Sequence, residues 1–295
     1  MASISDIDLM IIGAQKAGTT SLKNYLSQHP QIITHLQAEF SYFMQSDRQS
    51  PEQFFRNYFP TISQENSKKI IAKCAGMSND ESALMQLKQA NPECILILLL
   101  RNPVDRAYSS YLMEVNSGLF ERPWEDVRDS LRKYQRGERD QMFRLFIELG
   151  LYADQLEKIY RHFPKQHVLL FRFEEMNNRP QELFKKIFNS LRIDERFIPD
   201  VSQRYNPTKR PRVKVLSRTI TWLRITNNPA KRLLKRLLPS TTFARLGDWV
   251  INSVSTPHRP DSMDAKLRSE LIEFFRPFNE KLHRVTGLNF EDWNQ

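Results

Sequence analysis

Asp8-Leu9-Met10-Ile11-Ile12-Gly13-Ala14-Gln15-Lys16-Ala17-Gly18-Thr19-Thr20-Ser21 is the stretch on which the fold turns. Asp8–Ile12 is a short, largely apolar run ending at Gly13, the pattern of a buried strand. Over Thr20–Leu26 the apolar residues fall at 22, 25 and 26, so a helix follows the glycine loop. The chain has only eight glycines, yet two of them lie five residues apart in this turn. Glycines let the backbone curl so that successive N–H groups face inward, and the next helix offers its positive N-terminus. Lys16 adds a point charge; Thr19, Thr20 and Ser21 add hydroxyls. The ligand that fits such a loop is an oxyanion, phosphate or sulfate.

Outward from this loop the same alternation continues. Ile70–Lys73 is a second short strand candidate. Ile95–Leu100 is a third, unbroken in its hydrophobicity and bounded by Pro92 and Pro103. Asn102-Pro103 then reads as an N-cap with proline at the first helical position. Apolar residues at 104, 107, 108, 111, 112 and 115 carry that helix on one stripe. Leu145–Phe163 is another helical pattern and Val168–Phe173 another strand. Strands alternating with helices predict an α/β fold, a P-loop-like parallel sheet covered by helices on both faces. There is no internal repeat or long linker. The simplest parse is a single domain over 1–295, with a basic helical insertion around 204–262.

With 40% apolar and 26% charged residues over 295 positions, the composition excludes a disordered chain, a disulfide-stapled mini-domain and a collagen-like repeat. The longest apolar run, Ile95–Leu100, is far short of the ~20 residues of a membrane span. Met1–Asp8 lacks the basic segment of a signal peptide, and two cysteines, Cys74 and Cys94, suit a reducing compartment. The expected location is the cytoplasm.

The net charge of +10 is concentrated. Arg204–Arg245 holds twelve basic residues and no acid, which leaves 32 basic and 34 acidic residues elsewhere. Within it, Asn228–Leu238 places Leu233, Leu234, Leu237 and Leu238 on one stripe beside Lys231, Arg232, Lys235 and Arg236. A basic amphipathic helix of this kind lies on an anionic membrane surface, grips a polyanion, or packs its leucines on the core. Few aromatics accompany it (Tyr205, Trp222 and Phe243), so no nucleic acid is expected.

The loop departs from the P-loop in an informative way. The glycine spacing agrees, but Thr19 stands where the P-loop lysine belongs, and the lysine has moved forward to 16. Nucleoside triphosphatases often close such a strand as 95–100 with an aspartate that helps hold Mg²⁺; here the strand runs into Arg101. An arginine at that edge binds an anion and repels a metal. Arg101-Asn102-Pro103-Val104-Asp105-Arg106-Ala107-Tyr108-Ser109 thus offers a guanidinium fork and, about two turns along the helix, a serine hydroxyl. The plainer reading is that Arg101 caps the sheet edge or pairs with Asp105.

Together, Gly13–Ser21 and Arg101–Ser109 resemble the two nucleotide-binding motifs of PAPS-dependent sulfotransferases, most closely the bacterial members and the heparan-sulfate type. The likeness covers most of the chain: Gly150–Leu156, Phe171–Glu175, Leu271–Phe275, Leu282 and Gly287–Trp293 are similar to family landmarks. The resemblance implies that Lys16, Ala17, Gly18, Thr19, Thr20 and Ser21 hold the 5′-phosphosulfate of PAPS, 3′-phosphoadenosine 5′-phosphosulfate. It implies that Arg101 and Ser109 hold the 3′-phosphate, and that Lys16 neutralises charge building on the bridging oxygen. Metal-independent, in-line transfer to an acceptor hydroxyl or amine would leave PAP, adenosine 3′,5′-bisphosphate.

An attacking hydroxyl needs a base. In the heparan-sulfate type this region carries Lys-Glu followed, two residues on, by His; here Glu39 holds the glutamate position, with Ala38 and Ser41 in place of its companions. Glu39 is the candidate base and His35 its rival. Lys73 matches a family lysine and is a candidate second cation. Arg259 stands in the loop that often carries Lys-Gly-Arg near the donor. The acceptor, whether carbohydrate, lipid or small metabolite, is not written in these motifs. The alternatives are a P-loop nucleotide kinase or NTPase, and a non-catalytic module binding anions or membrane through 204–245.

Overall fold

Leu9–Gly13 (β1) is buried at every position, and the rest of the sheet is assembled around it. In this computed structural model residues 3–45, 50–60, 68–202, 209–211, 255–257 and 263–295 are described. Ile32–Thr34 (β2), Lys69–Lys73 (β3), Ile95–Leu100 (β4) and Val168–Arg172 (β5) join β1 in the order β2-β3-β1-β4-β5. Every pairing is parallel, with Ile11 opposite Lys73 on one side and Ile97 on the other. Because the strands are parallel, the segments that follow β1, β3, β4 and β5 all leave from one edge. The chain builds β2 and β3 on one side of β1 and then crosses to β4 and β5. That reversal at the carboxyl end of β1 is where open α/β sheets bind ligands.

The helices start where capping chemistry says they should. Thr19–Leu26 (α1) begins after Gly18, and Pro51–Tyr58 (α2) begins after Ser50, whose hydroxyl accepts from the Gln53 N–H. Glu81–Ala90 (α3) is capped by Asp80. Pro103–Asn116 (α4) is capped by Asn102, whose Oδ1 accepts from the N–H of Val104 at 3.0 Å. Val127–Gln135 (α5), Tyr152–His162 (α6), Glu175–Asn178 (α7), Pro180–Leu191 (α8) and Ala265–Thr286 (α9) follow.

One expectation needs correction. Leu145–Phe163 is not a continuous helix: a π-turn at Phe143–Ile147 and a 3₁₀ turn at Glu148–Gly150 precede α6. Gly150 is wedged so tightly that a Cβ there would sit 3.0 Å from both Pro103 and Phe275. The Tyr152 hydroxyl meanwhile donates to the Arg101 carbonyl at 2.8 Å. These tertiary contacts override the local periodicity.

The chain divides into two compact units. The first, Met1–Arg106, Ile147–Tyr205 and Ser269–Gln295, contains the whole five-stranded sheet. The second comprises Ala107–Phe146 and Asn206–Arg268. Its rings Tyr111, Phe120, Trp124 and Phe146 pack together, Phe120 edge-on to Phe146 at 4.9 Å. Lys209–Pro211 (β6) and Ser255–Pro257 (β7) pair as an antiparallel ribbon. The helix predicted at Asn228–Leu238 lies outside the described residues, as do Arg259 and most of the basic run. Among the described residues no helix is long and apolar enough to cross a membrane.

Candidate active site

The loop after β1 is held from inside the sheet. The Ala14 N–H donates to the Leu99 carbonyl at 2.8 Å, and the Ala17 N–H folds back on the Ala14 carbonyl at 3.1 Å. Lys16 and Gly18 both adopt left-handed backbone, with φ of 69° and 87°. Gly18 is required twice over: by that dihedral, and because a Cβ would stand 2.8 Å from Met176 and 2.9 Å from Phe173. Gly18 is also the N-cap of α1, and no side chain caps this helix. A bound anion can take the place of a cap there.

Arg101 follows directly on β4 and braces the loop. Its Nη1 donates to the Lys16 carbonyl at 2.9 Å, and the guanidinium lies over the Phe173 ring, 5.1 Å from the centroid. An L-residue in left-handed backbone costs about 1–2 kcal/mol, and the Arg101 bond helps hold Lys16 in that state. The fork has five N–H donors, so this tie leaves capacity for an anion. Ser109 sits on α4, half-buried, in the second unit.

Lys73 closes β3 with its side chain 1% exposed. Its ammonium donates to Glu39 Oε1 at 2.6 Å and to Thr20 Oγ1 at 3.2 Å. The second carboxylate oxygen of Glu39 accepts from the Ala75 N–H at 2.9 Å, while the side chain stays 43% exposed. One buried cation thus joins the candidate base to a hydroxyl of the glycine loop's helix. Sequence reasoning singled out all three residues but had no means of seeing that they touch.

His35 is a different kind of residue from the one expected. It is buried, and its Nε2 accepts from the Lys73 backbone N–H at 3.0 Å. Burial first, and then the neighbouring Lys23 and Lys73 ammonium groups, push its pKa down to about 2. A neutral, buried imidazole already used as an acceptor holds the loop; it does not collect protons from an acceptor. Lys23 was missed altogether. It lies on the buried face of α1, and its ammonium donates to the carbonyls of His35 and Gln37, each at 3.0 Å. Burial lowers its pKa to about 8, with Lys73 lowering it too and Glu39 opposing. The available signal was a lysine between Leu22 and Leu26 on a stripe otherwise inward.

Residues 6–212 match the family model described as the sulfotransferase domain, well over half of the chain. The chain belongs to the sulfotransferase family. Human heparan sulfate glucosamine 3-O-sulfotransferase 6 is 25% identical over 283 residues, 95% of this chain and 72% of that protein. The bifunctional heparan sulfate N-deacetylase/N-sulfotransferase 1 of Caenorhabditis briggsae is 24% identical over 218 residues, 68% of this chain. This sulfotransferase chain spans about a quarter of the length of that relative, 24%. The crystal structure of a sulfotransferase from Alicyclobacillus acidocaldarius shares the fold, with a TM-score of 0.67, 20% identity and 98% of each chain covered. Within the sulfotransferase fold described here, no group of three or more His, Cys, Asp or Glu among the described residues is arranged to hold a metal ion.

Proposed function

We propose that this protein transfers a sulfuryl group from PAPS to a hydroxyl or amine of an acceptor. The observation that carries the reading is the Lys73 ammonium, which reaches the Thr20 hydroxyl and the Glu39 carboxylate at the sheet edge bearing Arg101. The residues present fit an anionic donor: an uncapped helix start, a glycine where no Cβ fits, hydroxyls, and a guanidinium beside the loop. A kinase or NTPase would instead have its lysine at 19 and a carboxylate after β4; the chain has Thr19 and Arg101.

When bound, PAPS supplies the sulfuryl group and leaves as PAP. Lys16, Ala17, Gly18, Thr19, Thr20 and Ser21 would hold the 5′-phosphosulfate, Arg101 and Ser109 the 3′-phosphate, and Arg259 would add a contact. Glu39 takes the proton from the acceptor as it attacks, through the carboxylate lone pairs not engaged by Lys73 and Ala75. Lys16 and Lys73 place positive charge where negative charge gathers on the departing side. No metal is assigned to the reaction, because Arg101 occupies the edge position that a metal-binding carboxylate would need.

Relatives named for heparan sulfate support a carbohydrate acceptor; a lipid or small metabolite uses the same donor site. The basic run Arg204–Arg245 suits a polyanionic acceptor or an anionic membrane surface, with the protein acting in the cytoplasm. Neutralising Lys231, Arg232, Lys235 and Arg236 together should change acceptor or liposome affinity and spare donor binding. The deciding experiment is calorimetric binding of PAP against adenosine 5′-monophosphate, followed by transfer from labelled PAPS in EDTA. Equal or absent binding of the two nucleotides, or turnover only with Mg²⁺ and ATP, would overturn the reading.

A further inference from the structure

We infer that Lys23 is a positioning residue for the transfer proposed above, its buried ammonium clamping the His35–Gln37 turn so that Glu39 stays seated on Lys73. The inference rests on that functional reading for its effect on turnover, and on geometry alone for the clamp.

Lys23 is 6% exposed, and its Nζ bonds the two carbonyls that bracket Leu36, whose own side chain is turned outward. Those carbonyls stand four and two residues before Glu39. On the other side of Glu39, the Phe40 N–H donates to the Lys73 carbonyl at 2.6 Å. The His35 ring receives the Lys73 N–H. Glu39 is therefore strung between two anchors. The later one is β3 itself; the earlier one is shared by Lys23, the His35 ring and the Leu36 N–H, which donates to the Tyr58 carbonyl at 3.2 Å. Of these Lys23 alone holds two of the turn's carbonyls.

Helix α1 makes both connections to the pair. Thr20, in its first turn, accepts from the Lys73 ammonium, and Lys23, three residues on, fixes the turn that leads to the carboxylate. A helix moved by ligand at its N-terminus would carry both contacts with it. Three charged groups share this small volume: Lys73 from β3, Glu39 from the loop and Lys23 from α1, with His35 neutral beside them. An apolar side chain at 23 would fill the core without the cost of burying an ammonium. What the ammonium adds is the pair of carbonyl bonds, and these lie on the approach to Glu39.

The test is Lys23→Met in the full chain, read three ways. With labelled PAPS, kcat should fall by about tenfold or more while PAP affinity stays within about twofold, the split expected when an interaction away from the donor is lost. Hydrogen exchange of the amides over 35–40 should quicken, with β1 and β4 unchanged. Unchanged exchange over 35–40 would overturn the clamp whatever the activity, and unchanged kcat would overturn its role in turnover. So would a loss of PAP affinity in step with kcat, which would mark general damage to the site. Should K23M fail to fold, Lys23→Leu, which also carries no donor but is shorter, is read by the same measurements. A wild-type protein that neither binds PAP nor transfers would instead defeat the functional reading, and the exchange comparison would still judge the clamp.

Discussion

The Lys73 ammonium and the Glu39 carboxylate stand 2.6 Å apart, with the cation buried and the carboxylate nearly half exposed. That asymmetry assigns them different work. Lys73 is fixed by the sheet, while Glu39 keeps lone pairs open to an incoming group. Replacing Glu39 by Gln should lower turnover by about 10²–10⁴-fold and leave PAP affinity nearly intact. The buried ammonium would lose its charged partner, so denaturant unfolding should show a loss of roughly 1–3 kcal/mol. Undiminished turnover in E39Q would remove Glu39 from the mechanism.

Arg101→Ala should weaken PAP binding by roughly 2–3 kcal/mol, the scale of a lost charge-assisted bond. It should also erase the preference for PAP over adenosine 5′-monophosphate, since the guanidinium is assigned to the 3′-phosphate. Calorimetry on both nucleotides checks the two effects together. A variant that binds both less well, by equal factors, would show Arg101 acting only on the loop.

Two glycines with the same φ separate backbone strain from crowding. Gly18 and Gly137 both have φ of 87°, but a Cβ at 137 would meet nothing within 4 Å, whereas at 18 it would press on Met176 and Phe173. Gly137→Ala should cost about 1–2 kcal/mol from the backbone alone. Gly18→Ala should cost about 1–3 kcal/mol beyond that through overpacking. Urea unfolding of both variants gives the difference directly.

The buried histidine sets an acid limit. In the unfolded chain His35 takes a proton near 6.5, but in the native state only near 2. The folded value is the depressed one, so the contribution of neutral His35 to stability is complete above pH 6.5. It falls as the pH drops towards 2, by at most about 1.4 kcal/mol per pH unit. His35→Gln should flatten that part of the curve in unfolding measured from pH 7 to pH 4.5. Lys23 acts at the other end by the same sign: the unfolded chain holds its proton up to 10.5, the folded one to about 8. The Lys23 contribution therefore rises with pH between those values, and K23M should remove it. The buried Cys74 and Cys94 thiols, whose pKa burial raises, act in the opposite direction above pH 9.

Local signals carried the reading of the fold as far as local chemistry reaches. The unbroken run at 95–100, the glycines at 13 and 18 and the Asn102-Pro103 start act within a few residues, and each landed on its element. The three-residue edge strand Ile32–Thr34 and the break before Tyr152 did not show, because pairing with β3 and the wedge at Gly150 decide them. The site divides in the same way. Lys16, Glu39, Lys73 and Arg101 were singled out as candidates by residue type, by place along the chain and by resemblance to the family's motifs. The bond between residues 39 and 73, and the clamp from Lys23, join segments with no shared periodicity.

The tie from Arg101 to the Lys16 carbonyl also bears on the thermodynamics of ligand capture. A long, flexible arginine ordinarily gives up rotamer freedom when it closes on a phosphate, and that loss is subtracted from affinity. Here the guanidinium is already moored to the loop and stacked over Phe173, so much of its ordering is settled when the chain folds. For the nucleotide proposed to bind here, the entropic loss at Arg101 would be correspondingly small, because that side chain is ordered before any ligand arrives.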